Sequence, residues 1–339
     1  MYLEHFGFAR HPFRMAPEED FLYMSRQHSR AFVFMDSAIW SPEGFVVISG
    51  EIGSGKTTLL KKMISDIKEE VKLFHIAYTN LQGDDLFQII MQQAAIRVAD
   101  SNKVSMLFAI NDHLCQLAAR GTPVLLAIDE AQNLTHENLE DIRMLAGMEG
   151  PNGPILRVIL MGQPELQDNI SDIPQLTQRI KLFFHLEGLS LEDTKHYIFH
   201  RLTVAGYTQT DLFNDEIIKS IHEFSSGIPR LINKISDGLL LCAFAEDRKH
   251  LNASDIEEIK HELMVSTEDI IETRRTSHSR PTSAATTAGM SSDSLKALER
   301  IASALEAIDD KLSFLNDGES NPKVRLFEDA RRRIKDGLK

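Results

Sequence analysis

The sequence predicts an α/β fold: a doubly wound parallel sheet, followed by a small all-α domain and a C-terminal helical tail. Short, apolar, β-branched runs alternate with helical segments in the first part of the chain, which is typical of parallel βαβ units. After Ser190 the apolar residues recur with helical spacing alone. The predicted strands, in chain order, are Phe45–Gly50, Val71–Asn80, Pro123–Ala131, Ile155–Gln163 and Leu182–Leu189. The helices predicted around them are His28–Trp40, Thr57–Glu69, Asp84–Ala99, Ser105–Ala119 and Glu137–Met148.

The pattern divides the chain into four parts. Residues 1–189 form the sheet domain, and residues 190–264 form a helical domain in which Asn214 and Ser254 are predicted N-caps. Residues 275–293 are rich in Ser, Thr and Ala, which predicts a flexible linker. Within residues 294–339, apolar residues at steps of three and four predict either a short coiled-coil seam or one amphipathic helix packed on the body. The end of this part, from Asn321, is basic in an acidic protein.

Composition limits the classes of function. The 339 residues carry a net charge of −13, which counts against a general DNA coat, although a local basic patch would still allow DNA contact. The chain has two cysteines, Cys115 and Cys242, outside any metal-binding spacing, which indicates a reducing compartment. No apolar run approaches the roughly 18 residues that span a bilayer. We therefore expect a cytoplasmic protein, or a peripheral one at the inner face of a membrane.

A glycine-rich segment between the first predicted strand and the next helix matches the pattern GxxxxGK[ST] in full. In such a loop, successive backbone N–H groups point at phosphate oxygens, and the following helix N-terminus favours the anion. Lys56 would supply a charge to the β- and γ-phosphates, and Thr57 a hydroxyl to Mg²⁺. The sequence thus predicts ATP and Mg²⁺ as ligands. The predicted nucleotide-binding residues are Gly50, Glu51, Ile52, Gly53, Ser54, Gly55, Lys56, Thr57 and Thr58.

Two carboxylates follow a second apolar strand. Asp129 and Glu130 end the run that begins at Pro123, about 75 residues after the glycine-rich loop. Because parallel strands end at the same edge of a sheet, the carboxylates are expected beside the loop. Asp129 can hold the Mg²⁺ shell, and Glu130 can orient and polarise the attacking water.

Three further polar residues are candidates for the same site. Gln163 ends the fourth predicted strand, where it could bond the γ-phosphate or the water, or simply begin the turn before Pro164. Arg230 follows Pro229 at the start of a helix and could stabilise charge on the γ-phosphate within its own chain. Arg179 could do so from a neighbouring subunit. Without further information, an exposed arginine is most often a solvated surface charge.

Several segments carry a family resemblance. MYLEHFGF, GFVVISGEIGSGKTTL, LLAIDEAQNL, ILMGQPEL and GIPRLIN resemble the ExeA/GspA-type AAA+ ATPases of bacterial general secretion. Related ATPases occur in type IV pilus assembly, in exopolysaccharide systems and in transposition (the TniB group). The resemblance covers roughly residues 1–264. It implies a three-layer α/β domain with a helical lid, ATP binding and hydrolysis, and assembly into rings or filaments.

The resemblance also implies roles for individual residues. It assigns Gln163 to sensor 1, Arg230 to sensor 2 and Arg179 to the arginine finger that acts in trans, with Lys181 as a nearby competitor for the finger. Tyr23 and His28 lie where the N-terminal segment of this family approaches the nucleotide base, although local packing would account for them equally well.

These features favour one function over two alternatives. The first is an ATPase that drives assembly of a bacterial secretion, pilus or polysaccharide-export machine, with residues 294–339 docking on a machine component or on anionic lipid. Secretion-type members usually continue into a membrane helix and a peptidoglycan-binding domain. In this sequence a linker, a short heptad helix and a basic tail follow instead, so we expect no direct role in opening peptidoglycan. The alternative is a DNA-associated AAA+ regulator similar to the transposition ATPases. A nucleotide switch that barely turns over is disfavoured by the intact Glu130.

Overall fold

Five parallel strands form the central sheet. The computed structural model describes residues 2–16, 18–41, 44–67, 70–77, 79–98, 102–150, 153–207, 209 and 211–259. The strands are β1 Phe45–Gly50, β2 Lys72–Ile76, β3 Val124–Ile128, β4 Leu156–Gly162 and β5 Leu182–Leu186. Their order is β2-β3-β4-β1-β5, and every neighbouring pair is parallel. A separate two-stranded hairpin pairs Glu149–Gly150 with Gly153–Pro154. The predicted α/β fold with a parallel sheet is confirmed.

Helices precede, connect and follow these strands. They are α1 Tyr2–Phe6, α2 Arg26–Trp40, α3 Lys56–Asp66, α4 Asp85–Ala94, α5 Lys103–Ala119, α6 His136–Ala146, α7 Glu165–Ser171, α8 Pro174–Thr177, α9 Leu191–Val204, α10 Asp215–Ser225 and α11 Pro229–Ala245. Short 3₁₀ turns lie at Glu19–Phe21 and Ala131–Asn133. The backbone is again helical at 255–259.

Side-chain caps fix where several helices begin. In each case the side-chain oxygen accepts a hydrogen bond from the backbone N–H three residues on, which satisfies a donor that the first turn leaves without a partner. The predicted cap at Asn214 is confirmed. The capping residues are Ser25, Asn102, Thr135, Ser190 and Asn214.

Several predicted elements are longer than the observed ones, and for two of them the structure shows why. The helix predicted over Asp84–Ala99 ends at Ala94, because Ala95 adopts a left-handed conformation (φ 56°). The Ala95 N–H then bonds the Gln92 carbonyl and the next N–H bonds the Met91 carbonyl, which is a Schellman motif built without glycine. The strand predicted over Val71–Asn80 ends at Ile76, opposite the last residue of its partner β3.

Apolar side chains cover both faces of the sheet. Along β1, Val47 packs into the cluster that includes Ile110 of α5 and Ile142 of α6. Its neighbours Val46 and Ile48 point the other way, into the cluster formed with α2 and α3. Strands β1 and β3 are buried along their whole length. This explains why their sequences are continuously apolar rather than alternating.

A second core joins the C-terminal helices to the N-terminal segment. Helices α9, α10 and α11 pack around Tyr2, Phe6, Phe8 and Phe13. The Tyr2 hydroxyl donates to Asp237 Oδ1 at 2.7 Å, which ties α1 to α11. The aromatic residues at the start of the chain therefore belong to the core of this helical cluster, defined here as α9 to α11.

No helix within the described ranges has the length and apolarity needed to cross a membrane. The predicted linker at 275–293 and the predicted helix and basic tail at 294–339 lie outside the described residues.

Replacement of Phe13 should destabilise the protein strongly. Phe13 is 1% exposed and meets Phe213 edge-on, with ring centroids 5.7 Å apart. Phe13→Ala should lower the free energy of unfolding by about 3–5 kcal/mol because it removes a buried ring and leaves a cavity. The matched control is Phe108→Ala on α5, whose ring is 70% exposed. The control should change stability by less than about 0.5 kcal/mol. Urea unfolding followed by circular dichroism measures both; equal effects would contradict the assignment of Phe13 to the core.

Candidate functional site

The loop between β1 and α3 depends on glycine geometry. Gly53 and Gly55 have φ of 86° and 103°, in the left-handed region that other residues adopt at a cost. A Cβ on Gly53 would lie 2.3 Å from the Arg230 Cβ, and one on Gly55 would lie 2.8 Å from His28 Nε2. The loop is thus pressed between α11 on one side and α2 on the other.

Lys56 begins α3 and is held inside this loop. Its ammonium donates to the Gly50 carbonyl at 2.7 Å and to the Glu51 carbonyl at 2.9 Å. Burial lowers the pKa of Lys56, while the nearby carboxylates of Glu130 and Asp129 oppose that shift. The loop, the ammonium and the helix N-terminus place three sources of positive potential together, as anion binding requires.

The end of β3 presents two carboxylates in different settings. Asp129 is buried, and its Oδ1 accepts from the Glu130 N–H at 2.9 Å. Glu130 has a positive φ of 51°, and its carbonyl accepts from the Thr79 hydroxyl at 2.8 Å. Its Oε2 accepts from Gln132 Nε2 at 2.7 Å. The backbone of Glu130 is therefore held in a sparsely populated conformation at the edge where the loop lies.

A cleft of about 420 Å³ opens over the loop, within the range of small-molecule sites. Most of the predicted site residues line it: Tyr23, His28, Ile52, Gly53, Gly55, Lys56, Thr57, Thr58, Glu130, Gln163 and Arg230. Of the others, Gly50, Glu51, Ser54 and Asp129 adjoin these in the chain but do not line the cleft, and neither does Arg179.

Gln163 and Arg230 reach the cleft from different elements of the fold. Strand β4 lies between β1 and β3, so Gln163, which follows it, lies between the loop and the carboxylates. Arg230 is the second residue of α11, and its N–H donates to the Gly53 carbonyl at 3.2 Å. The helical cluster therefore contributes a cation directly beside the loop.

Tyr23 and His28 line the cleft and also make structural hydrogen bonds. The buried His28 donates from Nε2 to the Ser54 carbonyl at 3.0 Å, and its Nδ1 accepts from the Ser25 hydroxyl at 2.7 Å. Burial lowers the pKa of His28, which favours the neutral ring that this pattern needs. The Tyr23 hydroxyl donates to Asp193 at 3.0 Å, and burial together with that carboxylate raises the pKa of Tyr23 to about 12.

Neither candidate for the finger that acts in trans, Arg179 or Lys181, lines this cleft. Arg179 is exposed and donates to the Ala146 carbonyl at 3.4 Å. Lys181 is also exposed and donates to the Ser41 hydroxyl at 2.8 Å. The structure brings neither of them to the nucleotide-binding loop of its own chain.

Two residues at the site were missed by the sequence analysis. Gln132 bonds the Glu130 carboxylate and also accepts from the Gln163 N–H at 2.9 Å. It lies two residues after Glu130, inside a segment that carried the family resemblance, and this position is the signal that could have identified it.

Arg201 is the second missed residue. It is buried on α9, lines the cleft and stacks 4.6 Å from the centre of the Phe21 ring. Its guanidinium donates to the carbonyl of Pro12 at 2.6 Å, to the Tyr197 hydroxyl at 2.9 Å and to the carbonyl of Arg14 at 3.1 Å. A single arginine on an amphipathic helix gives no sequence signal for such a role.

Comparison with known proteins agrees with this geometry. A family model described as an AAA domain matches residues 39–170. General secretion pathway protein A of Aeromonas hydrophila is 35% identical over 266 residues, which are 78% of this chain and 48% of that protein. A potential ATP-binding protein of Staphylococcus aureus is 24% identical over 147 residues, 43% of this chain and 49% of that protein. The chain thus spans about half the length of these relatives. The first relative confirms the resemblance to ExeA/GspA-type ATPases.

Solved structures share the fold. Cdc6p from Pyrobaculum aerophilum has a TM-score of 0.57 at 15% identity, covering 74% of this chain and 70% of its own. Drosophila ORC bound to DNA has a TM-score of 0.54 at 16% identity, covering 76% of this chain and 65% of the matched chain. At such low identity these similarities establish the fold and nothing more.

Substitution of Gly53 should damage nucleotide binding specifically. Gly53→Ala places a methyl group against Arg230 and forces the loop away from α11. The matched control is Gly121→Ala, where φ is 74° but a Cβ would meet nothing within 4 Å. Both variants should lose about 1–2 kcal/mol of stability from the left-handed backbone. Affinity for a fluorescent ATP analogue, measured by titration, should fall roughly tenfold or more for Gly53→Ala alone. Equal affinities for the two variants would contradict this account of the loop.

Proposed function

Because the chain is an AAA+ P-loop ATPase of the ExeA/GspA type, we propose that it binds and hydrolyses ATP with Mg²⁺ to drive assembly or remodelling of a bacterial secretion, pilus or polysaccharide-export machine. One observation carries the chemical part of this proposal. The cleft collects the loop lysine, the carboxylate of Glu130, the amide of Gln163 and the guanidinium of Arg230, which come from four separate segments of the chain.

The residues present suit a magnesium nucleotide. Mg²⁺ prefers oxygen ligands, and the Thr57 hydroxyl and the Asp129 carboxylate are the residues that would hold it. When bound, the ion neutralises charge on the β- and γ-phosphates. The glycine loop fits phosphate because it has no side chains at Gly53 and Gly55 to keep the oxygens away from the backbone N–H groups. Lys56 contributes the charge that pairs with the β- and γ-phosphates.

Hydrolysis requires an oriented water and stabilisation of charge. In our proposal, Glu130 orients and polarises the water, and Gln163 donates a hydrogen bond to that water or to the γ-phosphate. Arg230 stabilises the charge that builds on the γ-phosphate. Its place beside Gly53 supports this, since α11 would carry the arginine toward the phosphate when the helical domain, residues 190–264, closes as a lid.

We further propose that a second copy of the chain completes the site. Arg179 is exposed and does not line the cleft of its own chain, so it would reach a phosphate only across an interface between subunits. A ring or filament provides such interfaces. Lys181 lies two residues away and is the competing candidate for the finger.

The proposed cellular role is based on the similar protein of Aeromonas hydrophila and on the sequence of residues 294–339. The similar protein of Aeromonas hydrophila is described as a protein of the general secretion pathway. We propose a cytoplasmic protein that works at the inner face of the membrane. Residues 294–339 would dock on a component of the machine or on anionic lipid.

A DNA-associated regulator is the competing function, and one experiment separates the two. ATP hydrolysis is measured against protein concentration at moderate salt, with and without duplex DNA. A rate that rises with protein concentration and does not change with DNA supports the role in a secretion, pilus or polysaccharide-export machine. A rate that rises sharply only with DNA would favour the regulator. The net charge of −13 argues for the first outcome, because DNA binding depends on basic residues that neutralise phosphates.

Two substitutions separate binding from chemistry. Lys56→Ala should abolish ATP binding, because it removes the cation within the loop. Glu130→Gln should keep binding but lower the rate of hydrolysis by about 10²- to 10⁴-fold, the usual contribution of a general base. Equilibrium titration with a fluorescent ATP analogue and a phosphate-release assay measure the two effects. A Glu130→Gln protein that turned over at the wild-type rate would remove Glu130 from the mechanism.

The finger in trans predicts complementation. Arg179→Ala should bind ATP normally but hydrolyse it slowly, and Lys181→Ala is its matched control. When Arg179→Ala is mixed with Glu130→Gln, an interface forms that combines the intact Glu130 of one subunit with the intact Arg179 of the other. The mixture should therefore hydrolyse ATP faster than either variant alone. If Lys181→Ala is the slow variant and complements instead, the finger is Lys181.

A further inference from the structure

Gln132 occupies a place between the proposed catalytic carboxylate and the end of β4. Its Nε2 donates to Glu130 Oε2 at 2.7 Å, and its Oε1 accepts from the Gln163 backbone N–H at 2.9 Å. A carboxylate can only accept and a backbone N–H can only donate, so the two partners fix which way the amide points. Both ends of the side-chain amide are therefore oriented by its neighbours.

The surroundings of Gln132 hold it in this place. Its own carbonyl accepts from Asn169 Nδ2 at 3.1 Å, which links the 3₁₀ turn after Glu130 to α7. A Cβ on Gly162 would come within 2.9 Å of Gln132 Oε1, so the end of β4 leaves room for the amide only because glycine stands there. Gln132 is thus built into the sheet edge and is more than a surface side chain near a carboxylate.

Two independent restraints act on Glu130. The Thr79 hydroxyl bonds its carbonyl and so holds the backbone, which has a positive φ. Gln132 bonds one oxygen of the carboxylate and so holds the side chain. Gln132 does not line the cleft, so its effect on a bound nucleotide must pass through Glu130 or Gln163.

We propose that Gln132 is a positioning residue that holds the Glu130 carboxylate in the orientation for activating water and couples it to the Gln163 segment. This inference rests on the proposed function, in which Glu130 polarises the water. A bond to Oε2 restricts rotation of the carboxylate and leaves Oε1 to accept from the water. The same amide is also bonded to the Gln163 N–H. A shift of the backbone at Gln163 would therefore change the orientation of the Glu130 carboxylate.

Substitutions of nearly equal size test the hydrogen bonds rather than the packing. Gln132→Met keeps the volume but cannot donate to Glu130, and its kcat should fall roughly ten- to hundredfold. Gln132→Glu still accepts from the Gln163 N–H but sets a carboxylate against Glu130, and its kcat should fall further. For both variants the dissociation constant for a fluorescent ATP analogue should change by less than about twofold. The matched control is Gln167→Glu, an exposed residue on α7, which makes the same change of charge and should keep the wild-type rate.

The outcomes distinguish this inference from the proposed function. Wild-type kcat for Gln132→Met overturns the inference, and so does a loss of ATP affinity that matches the loss of kcat, because either shows a role other than positioning. Combined with Glu130→Gln, Gln132→Met should cause no further loss, whereas an additive loss would show that Gln132 does not act through Glu130 and would overturn the inference. If Glu130→Gln itself hydrolyses at the wild-type rate, the role that the proposed function gives to Glu130 fails, and the inference fails with it. An inactive Glu130→Gln beside a fully active Gln132→Met removes the inference alone.

Discussion

Parallel pairing of β1, β4 and β3 at the centre of the sheet is the constraint on which the site depends. Ser49 of β1 lies opposite Gly162 of β4, and Leu160 of β4 lies opposite Ile128 of β3. The three strands therefore end at one edge within a few residues of one another. The glycine loop, the Gln163 segment and the two carboxylates leave from that edge side by side. An antiparallel strand here would carry its motif to the far side of the molecule.

The glycine loop is also shaped from outside the sheet. His28 on α2 and Arg230 on α11 occupy the space that side chains would need at Gly55 and Gly53. Burial lowers the pKa of His28, which favours the neutral ring that donates to the Ser54 carbonyl while accepting from Ser25. The conformation of the loop is thus a product of three packed elements, and its sequence motif describes only one of them.

The sequence predicted what local patterns determine. Continuous apolar runs identified the buried strands, and the glycine loop and the Asp129–Glu130 pair followed from motif and spacing. Prediction from sequence failed where contacts between residues far apart in the chain determine the structure. The end of β2 is set by the end of its partner β3, and Ala95 takes a conformation usually given to glycine. Gln132 acquires its role from a partner 31 residues away, and Arg201 from carbonyls 187 and 189 residues away.

The hydrogen bonds of Arg201 connect the helical cluster to the N-terminal segment of the chain. The Arg201 guanidinium on α9 donates hydrogen bonds to the backbone carbonyls of Pro12 and Arg14, and it lies over the ring of Phe21. The part of the cleft wall formed by Arg14 and Phe21 is thereby joined to the helical cluster by a hydrogen bond and a cation–π contact. A ligand that contacts this wall therefore contacts a surface built jointly by the N-terminal segment and the helical cluster.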